Sequence, residues 1–85
     1  MKQVTLYTSP ICGYCFAAKK LLSNKGVSFE EIDVVRNPEM RREMETRSNG
    51  GRTVPQIFIG ETHVGGFDDM NALERQGKLD PLLAG

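Results

Sequence analysis

The sequence predicts an α/β fold: a small four-stranded mixed sheet flanked by helices, in the order β-α-β-α-β-β-α with a final helical turn. Three observations carry this prediction. Apolar spacing alternates between a period of two and one of about 3.6. The first alternation makes a βαβ unit, which demands parallel strands joined by a right-handed crossover. A late glycine-flanked turn makes a hairpin, which adds antiparallel strands. The 85 residues suffice for one domain, 1–85, and are too few for two. No internal repeat, linker or low-complexity segment interrupts them.

Each element has a local cause. In "QVTLY", residues 3–7, Val4 and Leu6 share one face of a first strand. Residues 14–25 are helical: Cys15, Ala18 and Leu22 form a stripe widened by Leu21, and Lys19, Lys20, Ser23 and Asn24 face water. Gly26 is a natural stop. "SFEEIDV", residues 28–34, aligns Ile32 and Val34 as a second strand. In "RNPEMRREMETRSNGG", Asn37 is the expected N-cap, Pro38 suits the first helical position and Glu39 the positive end of the dipole. Met40 and Met44 make the seam expected to face the core, with the Arg/Glu-rich face of residues 39–47 in solvent. "PQIFIG" is a central strand with Pro55 at its start, where proline is tolerated. "GETH" turns into a short partner, "HVGG", which leaves His63 at a solvent-exposed strand end. "FDDMNALERQG" is a third helix, expected to be capped by Asp68 or Asp69, and "DPLLAG" a last turn with Asp80 as its cap.

Composition narrows the classes of function. Eleven basic residues balance eleven acidic ones, so no long-range field would hold nucleic acid or an anionic membrane. No segment approaches the roughly 20 apolar residues of a membrane span. The start of the chain, "MKQVTL", has no signal-peptide core, and a reducing compartment, the cytoplasm, is expected.

Against that background the two cysteines, Cys12 and Cys15 of "CGYC", carry the chemistry. A structural staple is poorly motivated, because so short a loop restricts the unfolded chain little and the compartment is reducing. A zinc site within one chain wants four ligands, and only two Cys and one His exist. A redox pair fits. Cys12 falls at the junction of strand and helix, where free backbone N–H groups and the helix dipole favour a thiolate. The thiolate is the attacking species in disulfide exchange, so Cys12 is the candidate nucleophile. Cys15 lies on the apolar stripe, close enough at i,i+3 to bridge, and is the candidate resolving thiol. Tyr14 between them is either a ring packing on substrate or a partly exposed aromatic beside a loop.

Two further motifs stand apart in sequence. In "RTVPQIFIG", Pro55 pushes Val54 to an extended conformation. X–Pro bonds are mostly trans, and the residues alone favour an ordinary strand-start proline. A cis Val54–Pro55 bond would instead leave the Val54 amide and carbonyl as an edge for an extended thiol peptide. In "GGFDD", the backbone N–H groups of the Gly65-Gly66-Phe67-Asp68-Asp69 turn can receive a carboxylate, and the side chain of Asp68 or Asp69 an ammonium. The plain alternative there is an N-cap with a favourable dipole charge.

Together, "CGYC", "TVPQIFI" and "GGFDD" resemble a glutaredoxin of the short bacterial dithiol type, and the resemblance runs through "LLSNKGVSFEEIDV" to "LDPLL". It implies a thioredoxin-like fold, and glutathione-dependent reduction of protein–glutathione mixed disulfides and protein disulfides. It implies that Val54, before a cis Pro55, pairs through its backbone with the cysteinyl unit of glutathione. Thr53 and the Phe67-Asp68-Asp69 turn would hold the γ-glutamyl end, and Arg52 would meet the glycyl carboxylate. Two departures matter: many dithiol members have proline where this chain has Gly13, and lysine where it has Ser9. A small residue at Gly13 resembles members in which a [2Fe-2S] cluster is bridged between two protomers. Cys12 would then be the protein ligand and the dimer the carrier or sensor; otherwise a monomer is expected.

Overall fold

A computed structural model describes residues 1–85. The elements are β1 (Val4–Thr8), α1 (Gly13–Asn24), β2 (Glu30–Asp33), α2 (Pro38–Arg47), β3 (Gln56–Ile59), β4 (Thr62–Gly65), α3 (Phe67–Arg75) and α4 (Leu79–Ala84). The sheet order is β2-β1-β3-β4. β1 pairs with β2 in parallel, as the βαβ unit requires, and β3 runs antiparallel to both β1 and β4. The mixed architecture and element order match the prediction.

Both central strands are buried on two faces, and their alternation sorts the core. Val4 and Leu6 of β1 and Ile57 and Ile59 of β3 join Ala18 and Leu22 of α1, Met70 of α3, and Leu79 and Leu83 of α4. Tyr7 and Phe58 point the other way and meet Val34 and Met44 under α2. Met40 packs at the margin of that cluster, so the two methionines face the core as expected. Tyr7 and Phe58 meet edge to face, centroids 5.7 Å apart. Arg47 leaves the otherwise solvated face of α2: its guanidinium lies 4.2 Å from the Phe58 centroid and donates to the Tyr7 hydroxyl at 2.9 Å. Burial pushes the Tyr7 phenol up, with the Arg47 hydrogen bond and charge opposing.

The element ends depart from the sequence expectations. β2 begins at Glu30 and stops at Asp33, because the Asp33 carboxylate accepts from the amides of Val35 and Arg36 and turns the chain. Asn37 holds the N-cap position without capping; its Nδ2 donates instead to the Asp33 carbonyl. α3 is capped by neither Asp68 nor Asp69. Its N-cap is Gly66, and Asp69, three residues on, reaches back to accept the Gly66 amide at 3.0 Å. α4 starts after Lys78, with Asp80 already inside its first turn. There Asp80 is drawn to Lys25, whose Nζ contacts both Glu74 and Asp80 at 2.8 Å and so ties the end of α1 to α3 and α4.

Glu31 on the edge strand accepts from Lys19 of α1 at 3.0 Å and from the Thr8 hydroxyl at 2.8 Å. Desolvation raises its carboxyl, but the Lys19 and Thr8 hydrogen bonds and the Lys19 charge outweigh it, and the group sits below its ordinary value of 4.5. The unfolded chain therefore takes up this proton more readily, and the contribution fades as pH falls from 4.5 through the lowered folded value. Glu31→Gln is expected to flatten this part of the acid limb of a stability–pH curve while changing its slope little near pH 7; an unchanged acid limb in denaturant titrations would contradict the assignment.

Candidate active site

β1 ends at Thr8 and the chain crosses to α1 through Ser9, Pro10 and Ile11. Cys12 is itself the N-cap of α1: its backbone is extended and its sulfur accepts the Cys15 amide at 3.1 Å. A sulfur here meets the unpaired first-turn amides and the positive end of the helix dipole, the setting that stabilises a thiolate. Cys12 and Cys15 are joined as a disulfide, with Cα atoms 5.2 Å apart. The two are unequal: Cys15 is 1 % exposed among the core stripe of α1, whereas Cys12 is only half-buried.

The second motif arrives from β3. The Tyr7–Gln56 pairing places the end of β1 beside the start of β3, and the Val54 carbonyl lies 3.8 Å from the Cys12 sulfur, 42 residues away in sequence. The Val54–Pro55 bond is cis, so the ordinary trans strand-start proline favoured by the residues alone does not form. The turn is held by the Gln56 side chain, whose Nε2 donates to the Thr53 carbonyl at 3.0 Å and lies 3.4 Å from its hydroxyl. Neither the amide nor the carbonyl of Val54 joins a backbone hydrogen bond, which leaves an open strand-like edge beside the sulfur.

The third motif closes the other side. Gly65 has φ +113°, and a Cβ on it would collide with the Asp69 carboxylate, so the turn into α3 requires glycine there. The first intrahelical bond of α3 is from the Met70 amide to Gly66, leaving the amides of Phe67, Asp68 and Asp69 without helical acceptors. The Tyr14 ring lies tilted against Phe67, centroids 6.4 Å apart. Tyr14, the Thr53–Gln56 segment, His63 and the Gly65–Asp69 turn enclose an open cleft of about 520 Å³. Free amides and two carboxylates at one end of it suit a zwitterion, and an open backbone edge beside a thiol suits an extended thiol peptide.

Of the residues singled out in the sequence, Arg52 is exposed and outside the cleft wall; its carbonyl accepts from Arg41 at 3.3 Å. Gln56 and His63 line the cleft, and the sequence reading gave neither a role. His63 lies at an exposed strand end as expected, yet its ring stacks on Phe58 at 4.8 Å. A buried glutamine opening an apolar strand was the available cue, since such an amide must find partners. Ile11 and Phe16, 97 % and 66 % exposed, flank the cysteines; Phe16 falls off the helix stripe by its spacing alone.

A [2Fe-2S] cluster takes four ligands, thiolates in most proteins. No three metal-capable side chains converge in this chain, and Cys15 is buried, so its residues supply at most the Cys12 sulfur to a cluster. A Cβ at Gly13 meets nothing within 4 Å, so glycine is not demanded there by local packing.

A Cys-x-x-Cys pair opening the first helix of this four-stranded sheet, against a cis-proline edge, defines the thioredoxin-like class of thiol–disulfide oxidoreductases. Comparison narrows the class. The Glutaredoxin family profile matches residues 4–64. A glutaredoxin of Pseudomonas aeruginosa is 57% identical over 99% of both chains. The solution structure of a Brucella melitensis glutaredoxin superposes with a TM-score of 0.83 at 57% identity, over 98% of this chain and 89% of that one. A buckwheat glutaredoxin–glutathione complex superposes with 0.86 at 32% identity, over 95% and 76%. The chain belongs to the glutaredoxin family.

Proposed function

We propose that this protein is a glutathione-dependent oxidoreductase that reduces protein–glutathione mixed disulfides and protein disulfides in the cytoplasm. It works as a monomer of one domain, on protein partners rather than nucleic acid or membrane. The observation that carries the reading is the Cys12 sulfur at the α1 N-cap, 3.8 Å from the unpaired edge of Val54. Glutathione presents a cysteinyl unit with a free carbonyl and amide on either side, which matches that edge. Its γ-glutamyl end is a zwitterion, which matches the free amides and carboxylates of the Phe67–Asp69 turn. Thr53 and Pro55 shape the wall between, and Arg52 supplies a cation outside it for the glycyl carboxylate.

The reaction balances as two exchanges. The Cys12 thiolate attacks the glutathione sulfur of a mixed disulfide; the protein thiolate leaves, and a Cys12–glutathione disulfide forms. A second glutathione thiolate attacks the glutathione sulfur of that bond, expelling the Cys12 thiolate and releasing oxidised glutathione. With a protein disulfide, Cys12 forms a mixed disulfide with one substrate sulfur. The Cys15 thiolate then attacks the Cys12 sulfur and expels the reduced substrate, leaving the Cys12–Cys15 bond; two glutathiones reduce it. The expected potential is in the glutaredoxin range, about −200 to −230 mV.

Hydroxyethyl disulfide reduction is expected to saturate with glutathione; reduction driven by dithiothreitol but not by glutathione would overturn the reading. Asp69 both holds the Gly66 amide and borders the γ-glutamyl end. Asp69→Ala is expected to raise KM for a glutathionylated peptide about tenfold, the scale of one lost charge-assisted contact. Unchanged kinetics would remove its role.

A further inference from the structure

Gln56 is 6 % exposed, and a buried amide must place both ends. Its Nε2 faces the Thr53 carbonyl and hydroxyl. Its Oε1 lies 2.6 Å from His63 Nε2. Since Oε1 accepts only, His63 Nε2 carries the proton and donates. The imidazole is held in turn, stacked 4.8 Å from the Phe58 ring, which Arg47 backs at 4.2 Å. On the opposite side the amide is hemmed in: a Cβ at Gly51 would lie 2.9 Å from Gln56 Nε2. A column of contacts thus runs from α2 through Phe58, His63 and Gln56 to Thr53, one residue before the open Val54 edge. It has no hydrogen bond or ring contact with either cysteine.

We infer that His63 and Gln56 are a positioning pair that fixes the Thr53–Val54 edge, and so sets the preference for glutathionyl over other mixed disulfides. This rests on the glutathione reading above. A mixed disulfide without a peptide backbone cannot use the edge, so the pair affects it little. Removing the donor at residue 63 frees the amide to turn, and only the edge-bound substrate suffers.

The test uses the full-length protein and two substrates, a glutathionylated cysteinyl peptide and the symmetric 2-mercaptoethanol disulfide, which has no peptide backbone on either sulfur, both with dithiothreitol as reductant so that no new glutathionyl disulfide forms. His63→Phe keeps a ring to stack on Phe58 but removes the donor. It is expected to raise KM for the glutathionylated peptide about tenfold, one lost hydrogen-bond partner, and to lower the preference for that peptide over the mercaptoethanol substrate by a similar factor. His63→Gln, which restores an N–H donor, is expected to recover most of the loss. Gln56→Met is expected to match His63→Phe, and the double variant to be no worse than either single one. Equal losses on both substrates, an unchanged preference in His63→Phe, or additive effects would overturn the inference. Where Gln56→Met does not fold, the His63→Phe and His63→Gln comparison decides alone. A wild-type protein with no preference for the glutathionylated peptide defeats the glutathione reading itself; a preference that survives His63→Phe defeats only the positioning pair.

Discussion

Cys12→Ser is expected to lose essentially all reduction of both glutathionylated and disulfide substrates, by about a thousandfold or more, the scale on which removal of a covalent nucleophile is felt. The variant is a clean one. Serine is a favoured N-cap, so its hydroxyl can accept the Cys15 amide that the sulfur now accepts at 3.1 Å, and α1 keeps its start. What vanishes is the ionisable group: a hydroxyl stays protonated near neutral pH where a capped thiol becomes a thiolate. A thermal unfolding midpoint close to wild type, beside absent turnover, is the expected pair of measurements. Substantial turnover of a glutathionylated peptide by Cys12→Ser would sink the assignment of the nucleophile.

Cys15→Ser is expected to separate the two activities. The group that stabilises the Cys12 sulfur is the backbone amide of residue 15, not its side chain, and it survives the substitution. Turnover of a glutathionylated peptide is therefore expected within about threefold of wild type, since in the proposed cycle glutathione itself completes the release. Reduction of a protein disulfide is expected to fall at least about a hundredfold, because no second thiol in the chain can release the mixed intermediate. The intermediate should accumulate and be visible by mass as a covalent adduct on Cys12. Full dithiol activity in this variant, with no adduct, would remove the resolving role.

The element order was legible because each strand and helix declares its period within a few residues: Val4 and Leu6, then Cys15, Ala18 and Leu22, then Ile57 and Ile59. Both cysteines could be placed at a helix start for the same reason. The element ends were harder, because their partners lie elsewhere. α3 begins before its aspartates because Asp69 folds back onto Gly66, and Asp80 is drawn to Lys25 from α1. Asn37 looks like a cap by type, but its amide is spent on the Asp33 carbonyl. The geometry at Val54–Pro55 could be anticipated only from the family resemblance, since the dipeptide favours trans. The Gln56–His63 contact joins neighbouring strands across a hairpin whose register shifts near Phe58, and no pattern in the residues announces that irregularity.

One feature of the sheet reaches further than packing. β1 delivers Cys12 and β3 receives the chain from Val54, so the alignment Tyr7 against Gln56 acts as a ruler between the two halves of the site. A slip of one residue along that seam would carry the sulfur about 3.3 Å past the edge it faces and turn every side chain of the strand to the opposite side. Such a slip is opposed here by shape, since both faces are packed core: exchanging Tyr7 and Phe58 with Val4, Leu6, Ile57 and Ile59 would overfill one cluster and leave cavities in the other. The distance between the Cys12 sulfur and the Val54 edge is thus calibrated by an apolar seam that contributes no residue to the cleft wall.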